Sequence, residues 1–193
     1  MVATKDRILF TSAELFRRKG YTGTGLKEVT TQAQAPFGSL YHHYPGGKEE
    51  LGEDVIRVSG AFFLQLFVFI ADDADDLVSG VQAFFDGAGE TLVATGWQDA
   101  CPIAVIALEV ASTSERLRVA TADVFESWLA EAQGRYIAAG ILADRARALA
   151  LSFLCALEGA FILCRALRST EPMAAAGAAT VAELRRELDR PAF

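Results

Sequence analysis

The sequence predicts an all-α protein of about nine helices, with an N-terminal three-helix helix-turn-helix module and a larger C-terminal helical body. Three observations predict it. Apolar residues recur at helical spacing along the chain. No segment sustains period-two alternation between turn signals. The charge divides sharply near Lys48. With 193 residues, 52% apolar and 22% charged, the chain is long enough to bury a core without staples. The same figures exclude a disordered tail, a collagen-like repeat, a disulfide-rich mini-scaffold and a multidomain enzyme with a separate cofactor fold.

The first helix is carried by Ile8, Leu9, Ser12, Ala13, Leu15 and Phe16, with Thr4 available as N-cap, basic residues at 17–19 and Gly20 as the stop. The Gly- and Thr-rich stretch 21–25 connects it to a second, short helix. Thr24 or Gly25 caps that helix, Leu26, Val29 and Ala33 share one face, and it ends near Gln34. Pro36 suits the first turn of a third helix, which Pro45, Gly46 and Gly47 close. From Lys48 the predicted helices lengthen to 48–70, 76–95, 102–111, 114–139, 144–168 and 173–188.

Residues 148–167 approach a membrane span in length but contain Glu158 and Arg165, so a buried helix is expected and no membrane partner. Asp6 and Arg7 interrupt the apolar stretch that a secretory signal needs, which points to a cytoplasmic protein. Cys101, Cys155 and Cys164 lack metal-site spacing and are odd in number, so reduced, buried thiols are expected.

The net charge of −7 argues against nucleic-acid binding only as an average. Residues 1–48 hold seven basic side chains against three acidic ones, a local +4, leaving −11 for the remainder. A small cationic module followed by an acidic body is therefore expected, with domains at 1–47 and 48–193. The acidity of the body would repel DNA from every face but the cationic one.

A short helix, a turn of about four residues and a second short helix form a helix-turn-helix, whose second helix enters the major groove. The candidate recognition helix is 36–44, PFGSLYHHY. Gly38 allows close backbone approach, while Ser39, Tyr41, His42 and His43 offer donors to phosphates or base edges. Leu40 and Tyr44, four apart, are expected to pack inward; the alternative is a small aromatic core helix. Lys48 stands at the first turn of the fourth helix, where exposed N–H groups already carry positive partial charge. A DNA phosphate would resolve that conflict, as would Glu49 and Glu50 without any ligand. PGGKEE does not satisfy the nucleotide-binding P-loop pattern.

The segment GYTGTGLKEVTTQAQAPFGSLYHHYPGGKEEL resembles the DNA-binding region of TetR-type transcriptional regulators, and the later CPIAVIALE resembles the LmrA/YxaF-type branch. The resemblance implies a homodimer with three DNA-binding helices per subunit and a helical effector domain, repressing transcription until a small molecule binds. By the same motif, Thr24 would contact phosphate, Gly38, Ser39, Tyr41 and His42 would face DNA, and Lys48 would hold phosphate. Two positions depart from the pattern. Gln34 stands where the turn usually has Gly and strains or shifts it; Phe37 replaces a usual Lys or other polar residue, losing a phosphate or base contact or touching a thymine methyl instead.

In the acidic body, apolar and aromatic residues either fill a core or line a pocket for a flat effector. Phe63, Phe67, Phe85, Trp97, Ile106, Phe125 and Trp128 are the apolar candidates. Glu109 and Glu158, in apolar runs, each need a partner, either an Arg or helix end or a polar effector group, and Gln65 is of the same kind. The last two helices carry small residues, including the AAAGAA run at 174–179, suited to a four-helix dimer interface or to an internal layer; the resemblance selects the dimer.

The expected function is a ligand-responsive dimeric repressor of palindromic operator DNA, in which an effector shifts the fourth helix and the spacing of the recognition helices. A helical small-molecule binder with weak or lost DNA affinity is the alternative. An enzyme is not expected: there is no metal constellation, nucleophile–base pair or Gly-rich cofactor loop, and adjacent His42 and His43 point about 100° apart on a helix. No cofactor is expected.

Overall fold

The structure, a computed structural model, describes residues 2–99 and 101–190. Nine helices and no strand occur among them: α1 Thr4–Lys19, α2 Leu26–Gln32, α3 Phe37–His43, α4 Gly47–Asp73, α5 Leu77–Ala94, α6 Pro102–Val110, α7 Glu115–Ala138, α8 Ala143–Leu167 and α9 Glu171–Leu188. The all-α expectation therefore stands, and helix ends fall within a few residues of the predicted ones. Some caps differ. Thr4 lies inside α1, and Ala3 is the N-cap without a side-chain bond. Pro36 is the N-cap of α3, one position before the helix.

Packing divides the chain into two compact units, Met1–Phe62 with Ala100–Phe125 and Phe63–Asp99 with Glu126–Phe193. Both α4 and α7 contribute residues to each unit, so the division by packing differs from the charge boundary at Lys48.

In the first unit α1 packs on α2, α3 and α6, and Ile8, Leu15 and Phe16 of α1, Val29 of α2, Leu40 of α3, Leu51, Val55 and Ile56 of α4, and Ile103 and Ile106 of α6 are all buried. Each fully buried side chain of this size contributes roughly 1.5–3 kcal/mol. At Gly60 α4 comes close to α7: a Cβ there would sit 2.5 Å from Val124 Cγ1. The outer edge of the same helix pair carries an ion network. Glu53 accepts from Arg116 Nε at 2.5 Å and from Arg57 Nε at 3.0 Å, and Arg57 also reaches Asp123 at 3.2 Å.

In the second unit α9 packs along α5 and α8. Asp76 caps α5: its carboxylate accepts the Ser79 N–H at 2.7 Å while the Ser79 hydroxyl accepts the Asp76 N–H at 3.1 Å, the reciprocal pattern of a capping box. Phe85, Leu92, Ala146, Ala150, Cys164, Met173 and Leu184 form its core.

Two expectations are corrected here. Cys155 is exposed, whereas Cys101 and Cys164 are buried, and none is in a disulfide. The α8 helix is not buried on all sides: Leu151, Ile162, Leu163 and Leu167 face solvent in the single chain.

Candidate nucleic-acid interface

The turn between α2 and α3 keeps its left-handed residue although that residue is not glycine. Gln34 has φ 52°. Its N–H donates to Thr31 O at 3.2 Å and the Ala35 N–H to Thr30 O at 2.9 Å, the paired bonds of a Schellman motif. Arg7 of α1 fastens the turn from below, donating Nε to Ala33 O at 3.0 Å and Nη2 to Gln34 O at 3.3 Å. The departure at Gln34 thus strains the turn without shifting it, at a cost of roughly 1–2 kcal/mol for a left-handed non-glycine residue.

This turn presents α3 with one face inward and one outward. Leu40 and Tyr44 are buried, as their spacing predicts. Gly38, Tyr41 and His42 are exposed, and Ser39 and His43 are half-buried. A Cβ added at Gly38 would meet nothing within 4 Å, so the backbone there is open to a close-approaching surface. The His42 and His43 rings lie edge to face with centroids 5.0 Å apart, closer than their angular separation on the helix suggests. The Tyr44 hydroxyl is buried without a hydrogen-bond partner, and burial with the nearby Asp54, Asp6 and Glu50 carboxylates pushes its pKa far up.

Thr24 does not belong to this outward surface. It is buried, and its hydroxyl donates to Gly20 O at 2.8 Å, closing the C-terminal end of α1.

Lys48 is half-buried at the start of α4, its ammonium 4.5 Å from the centroid of the Tyr21 ring. Burial lowers its pKa, and the charge of Glu109 opposes that shift. Of the two acidic residues beside it, Glu49 accepts from the Ser114 hydroxyl, whereas Glu50 accepts the Gly46 N–H at 2.6 Å and so satisfies a donor at the α4 N-terminus without any ligand.

Glu109 is the main relocation. The sequence offered an Arg, a helix end or an effector group as its partner, and its carboxylate accepts the Thr22 N–H at 2.6 Å in the α1–α2 loop. Ile106, on the same helix, is fully buried in the first unit. Phe125 is half-buried in that unit, whereas the other candidates lie in the second.

There, Phe67 and Phe85 are core residues. Phe67 packs edge to face on Phe84 at 5.3 Å and tilted on Phe153 at 5.7 Å, and Phe85 meets Phe153 at 5.5 Å. These rings pack on one another within the buried core of the unit. Phe63, Trp97, Trp128 and Glu158 are partly exposed, and Gln65 is exposed. The Trp97 carbonyl accepts from Arg165 Nε at 3.2 Å, so Arg165 is tied to that loop.

Sequence reading missed Arg7, whose role depends on a turn 26 residues away, and gave no role to Lys27. With Thr30, Thr31, Ala35 and Phe37, Lys27 lines a depression of about 350 Å3 between α2 and the start of α3. Phe37 and Tyr41, one helical turn apart, form an exposed edge-to-face pair at 5.7 Å.

Two short helices joined by a tight turn, the second showing a polar and aromatic face beside basic residues, have the form of a helix-turn-helix. The family model described as "Bacterial regulatory proteins, tetR family" matches residues 8–55, and that described as "Transcriptional regulator LmrA/YxaF-like, C-terminal domain" matches residues 78–179. The chain belongs to the TetR family of transcriptional regulators, with the LmrA/YxaF-like C-terminal domain. It is 30% identical over 170 residues to the HTH-type transcriptional regulator YxaF of Bacillus subtilis, covering 88% of this chain and 89% of that one. It is 28% identical over 178 residues to the HTH-type transcriptional repressor DhaR of a Mycobacterium species, covering 88% and 86%. In fold it is similar to a TetR transcriptional regulator from Legionella pneumophila, with TM-score 0.84, 20% identity and coverage of 95% and 98%.

Proposed function

We propose that the chain is a dimeric, ligand-responsive repressor that holds palindromic operator DNA with the outward face of α3 and releases it when a small apolar or aromatic molecule binds. The observation that carries this reading is the division of α3: Gly38, Tyr41 and His42 exposed on one side, Leu40 and Tyr44 buried on the other, within a +4 stretch of chain. Gly38, Ser39, Tyr41 and His42 would meet base edges and phosphates, and Lys48 a phosphate, making residues 1–47 with the start of α4 the DNA-binding part.

Dimerisation is supported by the solvent-facing stripe Leu151, Cys155, Gly159 and Ile162 on α8, together with exposed alanines at 174, 175, 178 and 179 on α9. Two such helices and their symmetry mates form a four-helix interface, and the two-fold axis would place the recognition helices about 34–36 Å apart. The effector reading rests on the second unit, where Trp97 packs on the aromatic core and Phe63, Trp128 and Glu158 are partly exposed. Such a regulator works in the cytoplasm. The relative DhaR, named a repressor, supports the sign.

A mobility-shift assay with DNA from upstream of the chain's own gene, with and without flat aromatic compounds, tests this. A retarded complex that dissolves with an aromatic is expected. A folded dimer that retards neither that DNA nor a genomic pool at low salt overturns the DNA-binding reading in favour of a helical small-molecule binder.

A further inference from the structure

The outward face of α3 contains an apolar feature that phosphate contacts leave unexplained. Phe37 is 49% and Tyr41 47% exposed, packed on each other at the start of the helix. Beside them lies the depression lined by Lys27, Thr30, Thr31, Ala35 and Phe37. The Thr30 and Thr31 hydroxyls both donate to the Lys27 carbonyl, at 3.1 and 2.8 Å, so their protons are used within α2. Lys27 is exposed and makes no ion pair among the described residues, leaving its ammonium as the donor on the rim. A single lysine ammonium beside an apolar wall suits a nucleotide that carries an apolar group. The major groove of DNA displays one such group, the C5-methyl of thymine.

Resting on the DNA-binding reading above, we propose that Phe37, with Tyr41 behind it, is a thymine-reading subsite: the Phe37 ring covers the C5-methyl of one thymine in each half-site, and Lys27 neutralises a neighbouring phosphate. Sequence preference at that position then comes from methyl burial rather than from hydrogen bonds, and it discriminates thymine from uracil as well as from cytosine.

The probe is a duplex selected by the full-length protein from a random-sequence pool, resynthesised with each thymine singly replaced by deoxyuridine, which removes only the methyl. One thymine per half-site is expected at which deoxyuridine weakens binding about fourfold, the factor that burying one methylene-sized group supplies. Phe37→Ala, at an exposed position that leaves the fold intact, binds both duplexes equally with an unchanged salt slope, and Phe37→Leu keeps part of the discrimination. Lys27→Ala lowers the salt slope by about one while retaining the thymine preference. Wild-type protein that binds both duplexes equally at every position, or Phe37→Ala that still discriminates, overturns the subsite and leaves DNA binding standing. Failure to select any DNA removes both. A change in the DNA-free mass of Phe37→Ala by light scattering, with no thymine discrimination in the wild type, assigns the pair to a contact between chains and overturns the proposal.

Discussion

Glu109 and Thr22 stand 87 residues apart in sequence, and the Glu109 carboxylate accepts the Thr22 backbone N–H at 2.6 Å. The bond ties α6 to the loop that leads into α2. It depends on Gly20, which has φ 80° and no side chain: a Cβ there would collide with the Glu109 carboxylate. Gly20→Ala therefore combines backbone strain of about 1–2 kcal/mol with displacement of Glu109 from Thr22. Glu109→Ala removes the same bond directly, at about 1 kcal/mol because the bond is solvent-exposed. The double variant is expected to lose about 0.5–1 kcal/mol less than the sum of the single losses, since the bond can be lost only once. Urea unfolding of the four proteins measures it, and strict additivity would separate the two residues.

Gln34 holds a left-handed conformation between α2 and α3, where glycine carries no Cβ penalty. Gln34→Gly is expected to stabilise the protein by about 0.5–1 kcal/mol, the relief of strain offset by the greater freedom of glycine in the unfolded chain. Thermal unfolding reads the shift, and a lower Tm would show that the Gln34 side chain makes a compensating interaction.

Lys48 rests over the Tyr21 ring at the start of α4. Lys48→Ala is expected to weaken binding of all DNA sequences alike and to reduce the salt slope by about one, whereas changes at Ser39 or His42 alter sequence preference. Equal salt slopes for Lys48→Ala and wild type would remove Lys48 as a phosphate ligand.

Ile162 is 60% exposed on the apolar stripe of α8, so a charge there leaves the subunit core untouched. Ile162→Asp is expected to halve the mass measured by sedimentation and to weaken palindrome binding more than about tenfold through loss of the paired half-sites. An unchanged mass would place the dimer contact elsewhere.

Glu53 is held below the ordinary glutamate range, first by its hydrogen bond to Arg116 and then by that to Arg57. A depressed carboxylate pKa contributes stability that is present above the unfolded value and lost as pH falls through the folded one. Glu53→Gln should thus lower stability by about 0.5–1 kcal/mol at neutral pH, an exposed network being worth little more. The gap from wild type should close as the solution is acidified below the glutamate range. Urea midpoints at neutral and acid pH test the sign; a gap that widens in acid contradicts it.

The helices were legible because their signals are local. The stripe Ile8, Leu15 and Phe16, the stop at Gly20 and the inward pair Leu40 and Tyr44 follow from residues three, four or seven positions apart, and the structure reproduces them. Glu109 was read differently because its partner lies 87 residues away, and Thr24 because one hydroxyl has several local partners to choose from. A carboxylate in the run CPIAVIALE announces that it needs a partner, and nothing in the run says that the partner is a backbone N–H before α2. Likewise a threonine ahead of a helix can cap it, contact a ligand or, as Thr24 does, turn back to the preceding helix.

By itself the sequence determined the all-α class, the order of the helices, the cationic module ahead of an acidic body and the family motif, because helical periodicity and charge distribution are properties of neighbouring residues. Only the tertiary structure decided that Gln34 strains its turn without moving it, that Phe67 and Phe85 fill a core, and that Glu109 serves the α1–α2 loop. Burial and hydrogen-bond partnership are set by segments that meet only when the chain folds, and the spacing of residues along the chain carries no record of that meeting.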